Sequence, residues 1–369
     1  MLKQIEKSIK NYLYKIIKLI FRNKQFSIPV KSDKIKKILI LRYDVIGDMI
    51  VTLPAIDLLK QNLPNVEIHI ICSERNFPII KNDNRINKIF TLEEKFFKRL
   101  KQLIEIRKER YDIVFAFVFN RTTTAGFISN LVANKNSPKI NIFHNERYEM
   151  YSAFFNILVN IDELRNKYTM AELLVFIICN TFGWKYPIFP IPIQLQLNQK
   201  NFDFADNFIK QKELEKFSIL NISAGKDYRQ LSIEKNIELL NCIFEKDKEV
   251  NFVITSSPKE IEKAEVIKSI FPIRVEVFPK TNDILDIAAI ISKSELVITP
   301  DTSITHLSAA FSKPIVLLYS KLGPSVKEWA PLGSESIIIS TKERQALDFI
   351  EVKDIASAYF KIKELVNKK

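Results

Sequence analysis

Residues 295–319 read ELVITPDTSITHLSAAFSKPIVLLY. The apolar run Leu296–Thr299 stops at Pro300-Asp301. A small-residue helical segment, Ile304–Phe311, follows, and Pro314 opens a second apolar run, Ile315–Tyr319. The order is strand, polar loop, helix, strand: a βαβ unit with its functional groups at the carboxyl end of the first strand. The loop gathers Asp301, Thr302, Ser303 and His306, one of three histidines in the chain, beside a helix N-terminus that favours negative charge. A solvated turn would account for such a loop taken alone. Its weight comes from a second loop of the same kind far upstream.

That loop lies in ILILRYDVIGDMIVTLPAIDLL, where the strand Ile38–Leu41 runs into Arg42–Asp48 and then a helical segment to about Asn62. Pro54 inside that segment implies a kink or a late helix start. Gly47, one of six glycines, immediately precedes Asp48. Glycine lets the backbone turn tightly or approach a ligand closely. A carboxylate after it, at a strand's carboxyl end, is placed to take a proton from a substrate hydroxyl. Capping the following helix is the competing role for Asp48. Asp44 ranks below it because it lacks the adjacent glycine.

Between and beyond these loops, strands alternate with helices, which implies parallel sheets. Strands are expected at Glu67–Cys72, Asp112–Val118, Lys139–Ile142, Ser218–Ile222, Asn251–Thr255 and Arg274–Phe278. Helices are expected at Ala171–Phe182, Ser232–Phe244 with Ser232 as its cap, from Pro258, Asn282–Ser292 and Val352–Val366. Pro187, Pro190 and Pro192 punctuate a strand-like run, Ile188–Leu197, the candidate linker. The expected domains are a basic arm at 1–35, an acceptor domain at 36–190, a nucleotide-sugar domain at 198–345 and a C-terminal helix at 346–369. A chain of 369 residues suits two such domains, with ligands in a central cleft faced by both sheets.

A third loop, in LNISAGKDYRQLS, offers Ser223, Gly225, Lys226 and Arg229. Exposed backbone N–H groups and two cations suit a diphosphate. The pattern GxxxxGK[ST] is absent, and no GxGxxG follows a strand, which disfavours a P-loop and a dinucleotide redox enzyme. Glu260 is a weaker candidate for a ribose, and Phe278 with Lys280 for framing a base. Cys72, Cys179 and Cys242 show no metal or redox spacing and read as reduced core residues of a cytoplasmic protein. No metal site is expected.

The net charge is +13, from 56 Lys and Arg against 43 Asp and Glu. Residues 1–37 hold eleven of those cations and two acids, so +9 lies there and +4 in the remaining 332 residues. At about 100° per residue, Leu2, Ile5, Ile9, Tyr12, Leu13, Ile16 and Ile20 fall on one face of a helix. Lys3, Lys7, Lys10, Lys15, Lys18 and Arg22 fall on the other. Two readings stay open: a helix lying on an anionic membrane through residues 1–30, or a helix packed on the body with its lysines solvated. Lys15 and Lys18 interrupt the apolar stretch, against a signal peptide. Nucleic-acid binding would use the charge but not the apolar face.

The order of these motifs resembles the heptosyltransferase family, glycosyltransferase family nine. The resemblance rests on ILRYDVIGDMIVTLPAIDLLKQNLPNVEIHII, on NISAGKDYRQLS and ITSSPKE, and above all on DILDIAAIISKSELVITPDTSITHLSAAFSKPIVLLY. It covers most of residues 36–335 and implies the GT-B fold, two Rossmann-like domains. It implies an inverting, metal-independent transfer, with no cofactor beyond a nucleotide-diphosphate sugar, ADP-heptose first among candidates. The implied acceptor is a lipopolysaccharide core intermediate, an anionic glycolipid. The protein would then work on the cytoplasmic side, peripheral to the inner membrane. By the same resemblance Asp48 is the catalytic base and Arg229 neutralises the leaving diphosphate. Asp301, Thr302 and His306 line the donor, and Arg42 and Gly47 lie on the acceptor side. Ser303 stands in place of the family's usual glycine, and Leu231 where a tryptophan is common. Rival readings are transfer of another sugar to a different surface glycan, and an inactive nucleotide- or glycolipid-binding assembly partner.

Overall fold

Strands buried on both faces are expected to be apolar without alternation, and the central strands here are. In the computed structural model, residues 2–119, 122–323 and 325–367 are described, with the side chains of 2–9 and 367 outside that description. The expectations for Leu2, Lys3, Ile5, Lys7 and Ile9 as face residues therefore lie outside the described side chains.

The chain divides into two units, Met1–Phe189 and Pro190–Lys369. The first runs α1 (Leu2–Phe21), β1 (Lys37–Arg42), α2 (Ile46–Ile50), α3 (Leu53–Asn62), β2 (Glu67–Cys72), α4 (Phe77–Ile80), β3 (Lys88–Thr91) and α5 (Phe96–Arg107). It continues with β4 (Ile113–Ala116), α6 (Thr122–Val132), β5 (Lys139–Ile142), α7 (Tyr148–Phe154), β6 (Ile157–Val159) and α8 (Met170–Phe182). The second runs α9 (Gln199–Gln211), β7 (Phe217–Asn221), α10 (Ile233–Lys246), β8 (Asn251–Thr255), α11 (Ile261–Ile270), β9 (Val275–Val277) and α12 (Ile284–Lys293). It ends with β10 (Val297–Pro300), α13 (Ser303–Ala310), β11 (Ile315–Tyr319), β12 (Ser336–Ser340) and α14 (Val352–Asn367).

Each unit holds one six-stranded parallel sheet, ordered β3-β2-β1-β4-β5-β6 and β12-β11-β10-β7-β8-β9. Counted within its own unit, each sheet follows the doubly wound order 3-2-1-4-5-6. The direction in which successive strands are added reverses between β1 and β4 in the first sheet and between β7 and β10 in the second. Ligands of such sheets bind outside the carboxyl ends at these switch points. The loops that follow β1, β7 and β10 are the three singled out from sequence.

Local chemistry explains most element boundaries. The first helical segment breaks after Ile50, and Pro54 sits in the first turn of α3, where its missing N–H costs nothing. Ser232 caps α10 by accepting from Lys235 N–H, and Thr169 closes a capping box with Glu172 on α8, which ends at Gly183 in the left-handed region. Two expectations change. Ile188–Leu197 forms no strand, because its prolines remove ladder donors. The helix expected from Pro258 starts at Ile261. The C-terminal helix α14 packs on the second unit, where Ile355, Tyr359 and Ile362 are fully buried.

The arm is helical and packed. Ile17 is buried, and the rings of Tyr14 and Phe21 lie 6.4 and 6.0 Å from Phe154 on α7. Beyond α1, Asn23 bonds Asn130 and accepts from Lys139 Nζ at 2.9 Å. The docking stripe Tyr14–Ile17–Phe21 differs from the apolar face read from sequence. Tyr12, Leu13, Ile16 and Ile20 of that face remain exposed, with Leu19 beside them. Among the described residues no helix is long and apolar enough to cross a membrane.

Candidate active site

The N-terminal switch point is organised by Arg42, the last residue of β1, which is 1% exposed. A buried guanidinium needs acceptors for its five donors. Nε donates to the Asp48 carbonyl at 2.8 Å, Nη2 meets Asp48 Oδ1 at 3.2 Å, and Nη1 meets Asp44 Oδ2 at 3.2 Å and the Phe117 carbonyl beyond β4. Arg42 thus ties β1 to β4 across the switch point. Asn76 donates to the Arg42 carbonyl at 2.9 Å, and Ser73 to the Asp44 carbonyl at 3.3 Å.

Asp48 sits in the first turn of α2, behind Gly47. Its second oxygen accepts from Val45 N–H at 3.2 Å, and Thr52 donates to its carbonyl at 2.8 Å. The helix-capping role and the ion pair coexist in one side chain. Asp44 differs: Oδ1 is buried with no hydrogen-bond partner among the described residues. Burial pushes its carboxyl up to about 6 against the pull of Arg42, and the neighbouring Asp48 adds to the rise. Beside this cluster a cavity of about 710 Å³ opens at the carboxyl ends of β1, β2 and β3, lined among others by Tyr43, Ser73, Arg75, Leu92, Glu94 and Arg99.

At the second switch point, Arg229 Nη1 lies 3.2 Å from Asp301 Oδ2, joining the loop after β7 to the loop after β10. Burial raises the Asp301 carboxyl, and the attraction of Arg229 offsets only part of the effect. Thr302 caps α13 by accepting from Ile304 N–H, and Asn221 reaches Thr299 and Thr302. Ser303 is the first residue of that helix. Glu260 accepts from Gln230 Nε2 at 2.5 Å and from Ser257. Burial would raise its carboxyl, but the bonds from Ser223, Ser257 and Gln230 together hold it below the usual range. Gly225 and Lys226 are exposed, and a Cβ on Gly225 would meet nothing within 4 Å. Packing therefore does not demand a glycine there.

The structure groups Ser223, Arg229, Glu260, Asp301, Thr302 and Ser303 at this sheet edge. It turns two candidates inward. Phe278 is buried between Phe204 and Phe208 of α9, so its ring has no free face for a base. His306 is buried in α13, its ring 6.0 Å from Trp329. Lys280, beyond Phe278, is exposed.

Sequence reading missed a group of polar atoms. Arg229 Nε, Tyr319 Oη, Thr255 Oγ1 and Ser256 Oγ are buried without a hydrogen-bond partner among the described residues. Thr255 and Tyr319 end β8 and β11, Ser256 follows β8, and Arg229 lies in the loop after β7. Burial raises the Tyr319 hydroxyl to about 12, with Asp301 adding to the rise. Buried polar groups are nearly always satisfied, so these four atoms are a candidate set of ligand contacts. Tyr319 gave no signal because it ends an apolar run and reads as core.

Two doubly wound parallel sheets, one in each unit, are the architecture of the GT-B fold. The chain belongs to glycosyltransferase family 9 (heptosyltransferase), whose model matches residues 99–358. That span begins downstream of the Arg42–Asp48 loop. The chain is 25% identical over 304 residues to lipopolysaccharide heptosyltransferase 1 of Campylobacter coli, covering 77% of this chain and 83% of that one. It is 27% identical over 158 residues to the lipopolysaccharide core heptosyltransferase OpsX of Haemophilus influenzae, covering 42% and 43%. Its fold is similar to a family 9 glycosyltransferase from Veillonella parvula (TM-score 0.75, 16% identity, 91% of this chain and 98% of that chain). It is also similar to E. coli heptosyltransferase WaaC with ADP (TM-score 0.70, 16% identity, 88% and 99%).

Proposed function

We propose that this chain is an inverting, metal-independent glycosyltransferase. It moves a sugar from a nucleotide-diphosphate donor, with ADP-heptose first among candidates, onto a lipopolysaccharide core intermediate at the cytoplasmic face of the inner membrane. The observation that carries the reading is the pairing of chemistry with topology. A carboxylate pair bridged by a buried arginine occupies one switch point, and unsatisfied donors around Arg229 occupy the other. The similarity to heptosyltransferases supports the sugar class.

In this reading Asp48 takes the proton of the acceptor hydroxyl as that oxygen attacks the anomeric carbon. Its carboxylate stays oriented because one oxygen faces Arg42 and the other Val45 N–H, and each oxygen keeps a further lone pair for the substrate. Charge builds on the departing diphosphate, and Arg229, Lys226 and the N-terminus of α13 stabilise it. The cavity lined by Tyr43, Arg75 and Arg99, with Glu74 and Glu94 beside them, receives the acceptor. The test is thermal stabilisation by ADP-, GDP-, UDP- and dTDP-linked ligands. A ligand at 100 times its dissociation constant adds about 2.7 kcal/mol. ADP-linked ligands should raise the melting temperature most; a larger rise with another base would reassign the donor, and no rise with any would remove the donor site.

A further inference from the structure

We propose that α1, α5 and α6 form one docking surface for an anionic lipid bilayer, with Phe96 and Phe97 as its inserted tip beside the cavity. This rests on the reading of a lipid-borne acceptor and extends it beyond the N-terminal arm. Helix α5 is seated on the body by Leu103 and Ile106, which are buried. It carries a second apolar stripe, Phe97, Leu100 and Ile104, at i, i+3 and i+7, and this one faces water. Phe96 and Phe97 are 69% and 83% exposed, and their rings meet edge-on at 5.5 Å. Folding does not need this stripe, since another face of the helix, with Leu103 and Ile106, already provides its packing.

The exposed apolar surface continues. Arg107 Nη1 donates to the Leu131 carbonyl at 2.9 Å, which sets α6 beside α5, and Phe127 and Leu131 of α6 are themselves exposed. The Phe127 ring lies 6.0 Å from Phe21 of α1, and α1 brings the exposed Tyr12, Leu13, Ile16, Leu19 and Ile20. The crossovers through α5, α6 and α7 run in one direction across the sheet, so right-handed connection places them on one face.

The charge around this surface selects the occupant. Residues 95–104 contain Lys95, Lys98, Arg99 and Lys101 and no carboxylate, and no carboxylate occurs between Lys7 and Ser32. Lysine is depleted in protein–protein interfaces, whereas lysine beside Phe, Leu and Ile is the composition of a bilayer-binding face. Single-stranded nucleic acid would call for aromatic stacking without a Leu and Ile stripe. Arg99 links the surface to the site: it lines the cavity and holds the Glu93 and Glu94 carbonyls at the start of α5.

The experiment uses the full chain with vesicles of phosphatidylglycerol and phosphatidylcholine in equal parts, and with phosphatidylcholine alone. Wild type should sediment with the anionic vesicles only. The double variant Phe96→Ser, Phe97→Ser should bind them at least about tenfold more weakly with an unchanged melting temperature, because both side chains are exposed. The indole emission of Phe97→Trp should shift to the blue on the anionic vesicles. Failure of wild type to bind, equal binding by the double variant, or a wild-type dimer that the double variant converts to monomer would overturn the proposal. Donor binding is read separately by thermal shift. If donors fail to bind while the double variant still loses the vesicles, the docking surface stands and the transferase reading falls.

Discussion

Arg42 Nη2 lies 3.2 Å from Asp48 Oδ1, and the pair is buried at the end of β1. The same guanidinium holds Asp44 at 3.2 Å on its other arm. One cation therefore serves two carboxylates, and the two differ. Asp48 has both oxygens engaged, while Asp44 keeps one without a partner among the described residues.

That difference has a pH signature. Burial lifts the Asp44 carboxyl from an ordinary value of 3.8 to about 6. Across that window the folded chain holds a proton that the unfolded chain has released, so stability falls as pH rises and the loss is complete above about 6. Asp44→Asn carries no charge to bury. Its stability relative to wild type should therefore rise across the window. Urea unfolding of both proteins at several pH values measures this, and curves that stay parallel would refute it.

Arg229→Ala should weaken a nucleoside diphosphate far more than the parent nucleoside. The guanidinium spans the loops after β7 and β10 through Asp301, and its Nε lacks a partner among the described residues. A charge-assisted bond contributes roughly 1.5–3 kcal/mol, so the diphosphate should lose about tenfold or more in affinity by calorimetry. Equal losses for both ligands would place Arg229 away from the phosphates.

Treatment with EDTA should leave transfer unchanged. Arg229 and Lys226 supply cationic charge at the proposed donor site, the part a metal ion plays elsewhere. Activity that returns only on adding Mg²⁺ would contradict this.

Gly126→Ala should destabilise the N-terminal unit. A Cβ there would lie 2.3–2.7 Å from Phe154, the ring on which Tyr14 and Phe21 of α1 also pack. Overpacking of this kind costs typically about 1–3 kcal/mol. A lower melting temperature with tryptic cleavage first within α1 is the expected result; an unchanged melting temperature would show that α7 yields.

Strands with continuous apolar runs were legible: Glu67–Cys72, Lys139–Ile142, Asn251–Thr255 and Ile315–Tyr319 form over those same residues. The short strands β3, β6 and β12 were not. β3 and β12 are half-exposed edge strands that bury no full face, and β6 has only three residues. The three loops at the switch points were legible because strand ends and charge coincide there, with a glycine in the loops after β1 and β7. Thr255, Ser256 and Tyr319 were hidden, because a polar atom at the end of a buried strand becomes informative only when its missing partner is visible. The arm shows the same limit. Its helix was legible, but periodicity could not say that Tyr14, Ile17 and Phe21 would dock and leave Tyr12, Leu13, Ile16 and Ile20 in water.

Asp48→Asn separates a catalytic base from a purely structural carboxylate. The substitution keeps the shape of the side chain and removes its capacity to accept the acceptor proton. Nucleoside diphosphate release is measured with donor and acceptor present, alongside donor affinity by thermal shift. Transfer should fall by about 10²–10⁴-fold with donor affinity unchanged. Retention of more than about half the activity would reduce Asp48 to the cap of α2 and the partner of Arg42, and would contradict the account.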